Sequence, residues 1–241
     1  VSIGEMFMGL LGNGNPIFKA DNIPFLASDF DTAHKLWEAS RSHIEKALKK
    51  DGLKLLFAVP WPPQGFYTKT AINSGADIKG MKLRAYSPAT SRLAVLLGAS
   101  PTTVQTPEIP QAFSTGLIDA MVTSPSTGVS SQSWDYVSNY TDTQAWIPKN
   151  MVIVNARAFK RLSKENQKAV MDAAAKAESR GWDLAMSETK SKTKMLADKG
   201  MNVSKPSAQL KADLQAVGAT MSQEWAKEAG SAGQDILNGM K

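Results

Sequence analysis

Cysteine is absent from the 241 residues, and histidine occurs only twice, as His34 and His43. The first absence excludes a disulfide scaffold, a thiolate-ligated zinc or iron–sulfur centre and a thiol nucleophile, and it leaves the redox compartment open. The second excludes a multi-histidine metal site and leaves any serine nucleophile without an evident base, since both histidines fall on one amphipathic stretch. Long apolar runs are also missing: no segment approaches the roughly 18–20 residues that span a bilayer, and no secretory leader opens the chain. It opens without Met on Val1-Ser-Ile3-Gly-Glu5-Met-Phe7, an alternating pattern more like the middle of a domain than a terminus, so an upstream segment is expected.

What is present is an ordinary globular composition, 42% hydrophobic and 21% charged. A chain this long buries roughly 70% of its unfolded surface and needs no covalent staple. Lys and Arg outnumber Asp and Glu by 28 to 22, a net charge of +6 that favours anionic partners. The basic residues nevertheless sit beside acidic ones, as in His43-Ile-Glu45-Lys46 and Lys176-Ala-Glu178-Ser-Arg180. That is the pattern of a solvated helix face, and no nucleic-acid partner is expected.

Helix and strand signals alternate at short spacing through the first half, which favours an α/β architecture. Asp29 can cap a helix whose apolar stripe runs through Ala33, Leu36, Trp37, Ile44, Ala47 and Leu48, ended by Gly52. Strands are expected at Lys54–Val59, Phe66–Thr70, Met81–Ala85, Leu117–Val122 and Met151–Val154. Between the first two, Pro60-Trp-Pro-Pro-Gln-Gly65 cannot form a central strand or a helix interior and reads as a crossing loop. Ser87 to Leu97 reads as a helix stopped by Gly98, and Thr106 as the cap of another, with Pro107 at its first position. Thr123 to Ser133 reads as a loop rich in Ser, Thr, Pro and Gly. In the second half a helical pattern runs from the Ser163 cap to Lys199, interrupted only by Gly181, and a last helix from Ser207 to Ala229. The former is far longer than the usual helix of about 11–12 residues, as expected of one bridging two lobes.

Catalytic signatures fail one by one. Gly12-Asn-Gly14-Asn-Pro-Ile17 lacks the third glycine of a dinucleotide fingerprint, and Gly75 to Lys82 has Met81 where a P-loop carries lysine. Gly98-Ala-Ser100-Pro-Thr102 lacks the last glycine of a nucleophile elbow. A binding constellation remains. Arg84 lies near the end of a strand, and its guanidinium offers a planar fork of donors matched to a carboxylate. Trp61, Phe66, Tyr67, Tyr86 and Trp146 are aromatic residues that fit core or hinge packing as well as a cleft wall.

At these residues the chain resembles a known family. Asp77-Ile-Lys-Gly-Met-Lys-Leu-Arg84, Gly98-Ala-Ser-Pro101 and Ala112-Phe-Ser-Thr-Gly-Leu-Ile-Asp119 occur in the order and spacing of the DctP substrate-binding proteins of tripartite ATP-independent periplasmic (TRAP) transporters. The similarity extends through Asn22-Ile-Pro-Phe25, Pro148-Lys-Asn150 and the long helix after Ser163. It implies a two-lobed α/β fold of the type II periplasmic-binding-protein kind, with one helix spanning both lobes and the first strand–helix–strand unit missing. Residues 1–61 and 149–185 would form lobe I, and residues 62–148 and 186–241 lobe II with the C-terminal helices.

The resemblance also implies a function: a periplasmic receptor, monomeric and without catalysis or cofactor, that passes an organic acid to the small and large membrane subunits of a permease. Arg84 would pair with the ligand carboxylate, with Glu5, Ser87, Thr106 and Thr123 as further cleft positions. Sialic-acid-binding members carry arginine where this chain has Gln64 and Met8, and asparagine where it has Thr123, which argues against sialic acid. The aromatic residues favour an aromatic or 2-oxo/2-hydroxy monocarboxylate. A C4-dicarboxylate is the alternative and would need Lys149, Asn150 or Gln64 as a second donor cluster. A receptor serving an ATP-driven importer or a sensor is the nearest competing class.

Overall fold

The structure is a computed structural model that describes residues 2–241; Val1 lies outside the described residues. Eight apolar-rich residues ending on the first of three prolines make β2 (Leu53–Pro60), an edge strand that pairs antiparallel with β8 (Lys149–Asn155), which in turn pairs with β1 (Ile3–Phe7). This three-stranded sheet, in the order β1-β8-β2, carries α1 (Phe30–Lys50) on one face. Asp29 caps α1 by accepting the Thr32 N–H at 2.8 Å, and Leu36, Trp37, Ile44 and Leu48 are buried.

The second sheet has six strands in the order β5-β4-β6-β3-β7-β9. These are β3 (Gly65–Thr68), β4 (Lys82–Ala85), β5 (Ser100–Thr103), β6 (Ala120–Thr123), β7 (Asn139–Thr141) and β9 (Asn202–Ser204). β4 runs parallel to β5 and β6, and β3 antiparallel to β6 and β7, so the sheet is mixed. α2 (Pro88–Leu96), α3 (Ile109–Ser114) and α4 (Pro125–Ser130) follow β4, β5 and β6, and the short α5 (Ala156–Lys160) follows β8. The whole is the two-lobed α/β arrangement expected.

Two crossing segments join the lobes. Trp61 N–H donates to Pro148 O at 2.8 Å, Gln64 N–H to Trp146 O at 3.0 Å, and Ala145 N–H to Gln64 O at 3.0 Å. Pro62 and Pro63 on one segment and Pro148 on the other have no N–H to give, and the N–H groups of their neighbours tie one segment to the other. Across both lobes runs α6 (Lys164–Asp198), 35 residues capped by Ser163 and stopped at Gly200, whose φ is +92°. Gly181 is the reason α6 can cross β2 so closely: a Cβ there would lie 2.2 Å from Val59 Cγ1.

Some local expectations need correction. Thr106 is not a cap; Gln105 precedes a turn of 3-10 helix over Thr106–Glu108, and Glu108 accepts the Gln105 N–H at 3.0 Å. The stretch after Thr123 is not all loop, because Ser124 caps α4 with Pro125 at its first position. β5 carries Pro101, which its place at the sheet edge tolerates. α7 (Ala208–Gly239) continues beyond Ala229 through a kink at Gly230. Expected wholly with the second lobe, α7 touches both: Asp213 accepts the Gly75 N–H at 2.8 Å, while Trp225 donates to Pro16 O at 2.8 Å and Asp235 lies 3.9 Å from His43.

The close crossing makes a prediction. Gly181→Ala should destabilise the chain by about 1–3 kcal/mol through overpacking, although alanine is the better helix former. Val59→Ala should recover most of that loss, since it removes the atom in the way; urea denaturation of the two single variants and the double variant reads the coupling.

Candidate functional site

β4 and β6 end side by side, and the cleft opens at their carboxyl ends, where open α/β sheets hold ligands. Arg84, next to last in β4, is 2% exposed. Its Nε donates to Val104 O at 2.9 Å and its Nη2 to Thr106 Oγ1 at 3.3 Å, so the guanidinium is aimed by lobe II itself. The Tyr86 ring lies beneath it, 5.3 Å from the guanidinium carbon. Among the described residues no carboxylate pairs with Arg84, and burial depresses its pKa from the ordinary arginine value. A buried cation with no internal acid is costly unless a ligand supplies the anion.

The cavity beside Arg84 has a volume of about 220 Å³. That lies below the roughly 300–1,000 Å³ of drug-sized ligand pockets and suits a small metabolite. Thr106, Thr123 and Tyr86 join Arg84 on its lobe II side, Trp61 and Gln64 come from the crossing segment, and Asn150 comes from β8. Tyr86 donates its hydroxyl to Gln64 Oε1 at 2.9 Å, and Gln64 Nε2 donates to Pro62 O at 2.9 Å, so Gln64 is spent on the hinge. Burial raises the Tyr86 phenol well above its ordinary pKa, and the nearby Arg84 opposes that rise. Trp61 Nε1 donates to Asn150 Oδ1 at 2.8 Å, which turns Asn150 Nδ2 toward Glu5 Oε1, also at 2.8 Å.

Other expected residues lie elsewhere. Phe66 and Tyr67 are fully buried because β3 is covered on both faces. Tyr67 supports the cleft from behind: its hydroxyl donates to Ser124 O at 3.0 Å, and it packs under Gly128, where a Cβ would meet the phenol oxygen at 2.2 Å. Ser87 is occupied in capping α2, accepting the Thr90 N–H at 3.2 Å. Trp146 is in the core between the lobes. Glu5 is exposed and reaches the cleft only through Asn150.

Lys149, offered as a second donor to a dicarboxylate, is 1% exposed and paired with Asp21 at 3.4 Å. Asp21 Oδ2 also accepts the Lys149 backbone N–H at 3.0 Å. Burial pushes the Asp21 carboxyl up and the Lys149 amine down, and their mutual attraction opposes both shifts. Sequence reasoning passed over Phe7, Leu10, Gln105, Ser124, Thr127, Ser130 and Pro148, which also line the cavity. A signal existed for one group: Ser124-Pro125 followed by Thr127 is the start of a helix, which makes α4 a wall. A wider depression of about 480 Å³ lies between α1 and α6. Arg41 there is already paired with Glu178 at 3.2 Å and Glu45 at 3.3 Å, so it offers no unmet charge.

Two lobes meeting over an unpaired, buried guanidinium define a solute-binding protein. The chain belongs to family 7 of the bacterial extracellular solute-binding proteins, the DctP family, whose model matches residues 3–228. It is similar to the crystal structure of DctP7 of Bordetella pertussis, an extracytoplasmic solute receptor binding pyroglutamic acid: 54% identity, all of this chain and 80% of that one covered, TM-score 0.98. DctP6 of the same organism, also described as binding pyroglutamic acid, is 41% identical, with 99% and 79% covered and a TM-score of 0.97. The sialic acid-binding periplasmic protein SiaP of Vibrio cholerae is 23% identical over 201 residues, which are 82% of this chain and 63% of that protein. The chain therefore spans less than two thirds of that curated relative. Among the described residues, no helix is long and apolar enough to cross a membrane.

The Asp21–Lys149 pair can be tested by breaking it. Lys149→Met should cost about 3–5 kcal/mol in urea denaturation, because Asp21 is left buried without a cation. Adding Asp21→Asn should return most of the loss, and equal stabilities of the single and double variants would refute the pairing argument.

Proposed function

We propose that this chain is an extracytoplasmic receptor that captures a small monocarboxylate of the pyroglutamate kind and passes it to the membrane subunits of a TRAP-type transporter. The observation that carries the reading is Arg84: a guanidinium 2% exposed, beside a small cavity, with no acid among the described residues to neutralise it. Its outer N–H groups remain for both oxygens of a ligand carboxylate. Trp61 and Phe7 offer flat apolar surface to the body of the ligand. Thr123 offers a hydroxyl to polar atoms of that body, and Asn150 the second N–H of its Nδ2, since its Oδ1 is held by Trp61 and its first N–H by Glu5.

Likeness to two receptors that bind pyroglutamic acid, at 54% and 41% identity over nearly the whole chain, supports the same choice. A saturated lactam acid thus takes the place of the aromatic or 2-oxo/2-hydroxy body first expected, while the single carboxylate is kept. A C4-dicarboxylate is the weaker reading, because Lys149 and Gln64 are spent on internal bonds. In this reading the ligand touches Arg84 on one lobe and Trp61 and Asn150 at the hinge and the other lobe. Contacts of that kind favour the closed form, since a ligand shifts an equilibrium only through differential affinity. The lobes would divide as residues 1–61 with 149–185 and residues 62–148 with the rest of the chain, α7 lying across both.

Calorimetric titration with L-pyroglutamate tests the reading. Arg84→Ala should weaken binding by roughly thirty- to several-thousand-fold, the equivalent of about 2–5 kcal/mol for losing one partner of a buried charge pair. Arg84→Lys should fail as well, because a point charge does not reproduce the fork. In a thermal-shift panel at about 100 times Kd, pyroglutamate should stabilise the protein by about 2.7 kcal/mol. Succinate ahead of pyroglutamate in that panel, or unchanged affinity in Arg84→Ala, would overturn the proposal.

A further inference from the structure

Trp61 and Asn150 form a partition. On one side lies the cleft with Arg84; on the other lies a second cavity of about 270 Å³, which shares those two residues. The second cavity is lined by Glu5 and Glu188 together with the apolar Val59, Pro60 and Leu184. Glu188 accepts the Ser126 hydroxyl at 2.7 Å and lies 3.6 Å from Lys192, which offsets its charge. Glu5 has no such cation among the described residues, and its contact is the neutral amide of Asn150. The cleft itself is lined by one cation, Arg84, and by no Asp, Glu, Lys or His among the described residues.

We propose that Glu5 is a specificity-determining residue that acts through Asn150 to limit the cleft to one carboxylate. Arg84 neutralises the first carboxylate at the lobe II wall. A second carboxylate at the far end of the same ligand would meet the Asn150 partition with an unneutralised acid directly behind it, and Coulomb repulsion opposes it there. A lactam carbonyl in the same place carries no net charge and accepts from an amide N–H without that penalty. The hydrogen-bond chain gives the effect its direction: the Trp61 indole can only donate, so it holds Asn150 Oδ1, and Asn150 Nδ2 faces the acid. The inference rests on the reading of the cleft as a carboxylate site.

Glu5→Gln removes the charge and keeps an oxygen that can accept from Asn150. Kd is measured by calorimetry for L-pyroglutamate and for glutarate, a diacid with the same number of carbons, in wild type and variant. The ratio of Kd for glutarate to Kd for pyroglutamate should fall by about three- to tenfold in Glu5→Gln, the scale of one partly screened charge several ångströms away. Because Glu5 is exposed, salt of about 0.5 M should move the wild-type ratio toward that of the variant. An unchanged ratio overturns the proposal, and so does an equal loss for both ligands, which is what a merely structural role would give. Wild type that binds neither acid overturns the carboxylate reading itself and this proposal with it.

Discussion

A buried positive charge that meets no negative charge among the described residues is the constraint on which the rest of this molecule depends. Arg84 is held by Val104 O at its Nε, by Thr106 Oγ1 at its Nη2 and by the Tyr86 ring against its plane. Those contacts orient the guanidinium without neutralising it. Lys149 shows the opposite solution to the same problem a short way off, since it is as buried but carries its own acid, Asp21. One cation finds its acid within the fold, at the root of the hinge. The other meets no acid among the described residues, which is the ground of the proposed carboxylate site.

The scaffold around Arg84 follows from a few local necessities. Parallel strands β4 and β6 set the guanidinium beside Thr123, and α4 closes that wall because Gly128 lets it settle on the Tyr67 hydroxyl. One crossing segment carries Pro62 and Pro63 and the other Pro148, and N–H groups of the remaining residues pair across the hinge. α6 packs along β2 and crosses Val59 at Gly181, a residue with no side chain. In the Trp61–Asn150 partition two hydrogen bonds decide how the amide is turned between the cleft and Glu5.

Much of this was legible in the residues, and some was not. The caps at Asp29 and Ser163, the overlong helix and the proline crossing could all be read, because each rests on chemistry local to a few neighbouring residues. Arg84 could be singled out as the anchor, but not its burial or its lack of an acid. The aromatic residues divided in a way that no local signal foretold: Trp61 and Tyr86 face the cleft, while Phe66, Tyr67 and Trp146 are packed away. Facing is decided by which side of a strand the neighbouring layers cover, and β3 is covered on both.

The sequence by itself determined the alternation of helix and strand, where the chain could not continue a regular element, and which single side chain could grip an acid. These depend on backbone propensity and on the chemistry of one residue. Tertiary structure alone decided which charges met partners: Asp21 and Lys149 are 128 positions apart, and Glu5 and Asn150 are separated by 145. Whether a charge is paired depends on the distance left after folding, and no spacing along the chain records that distance.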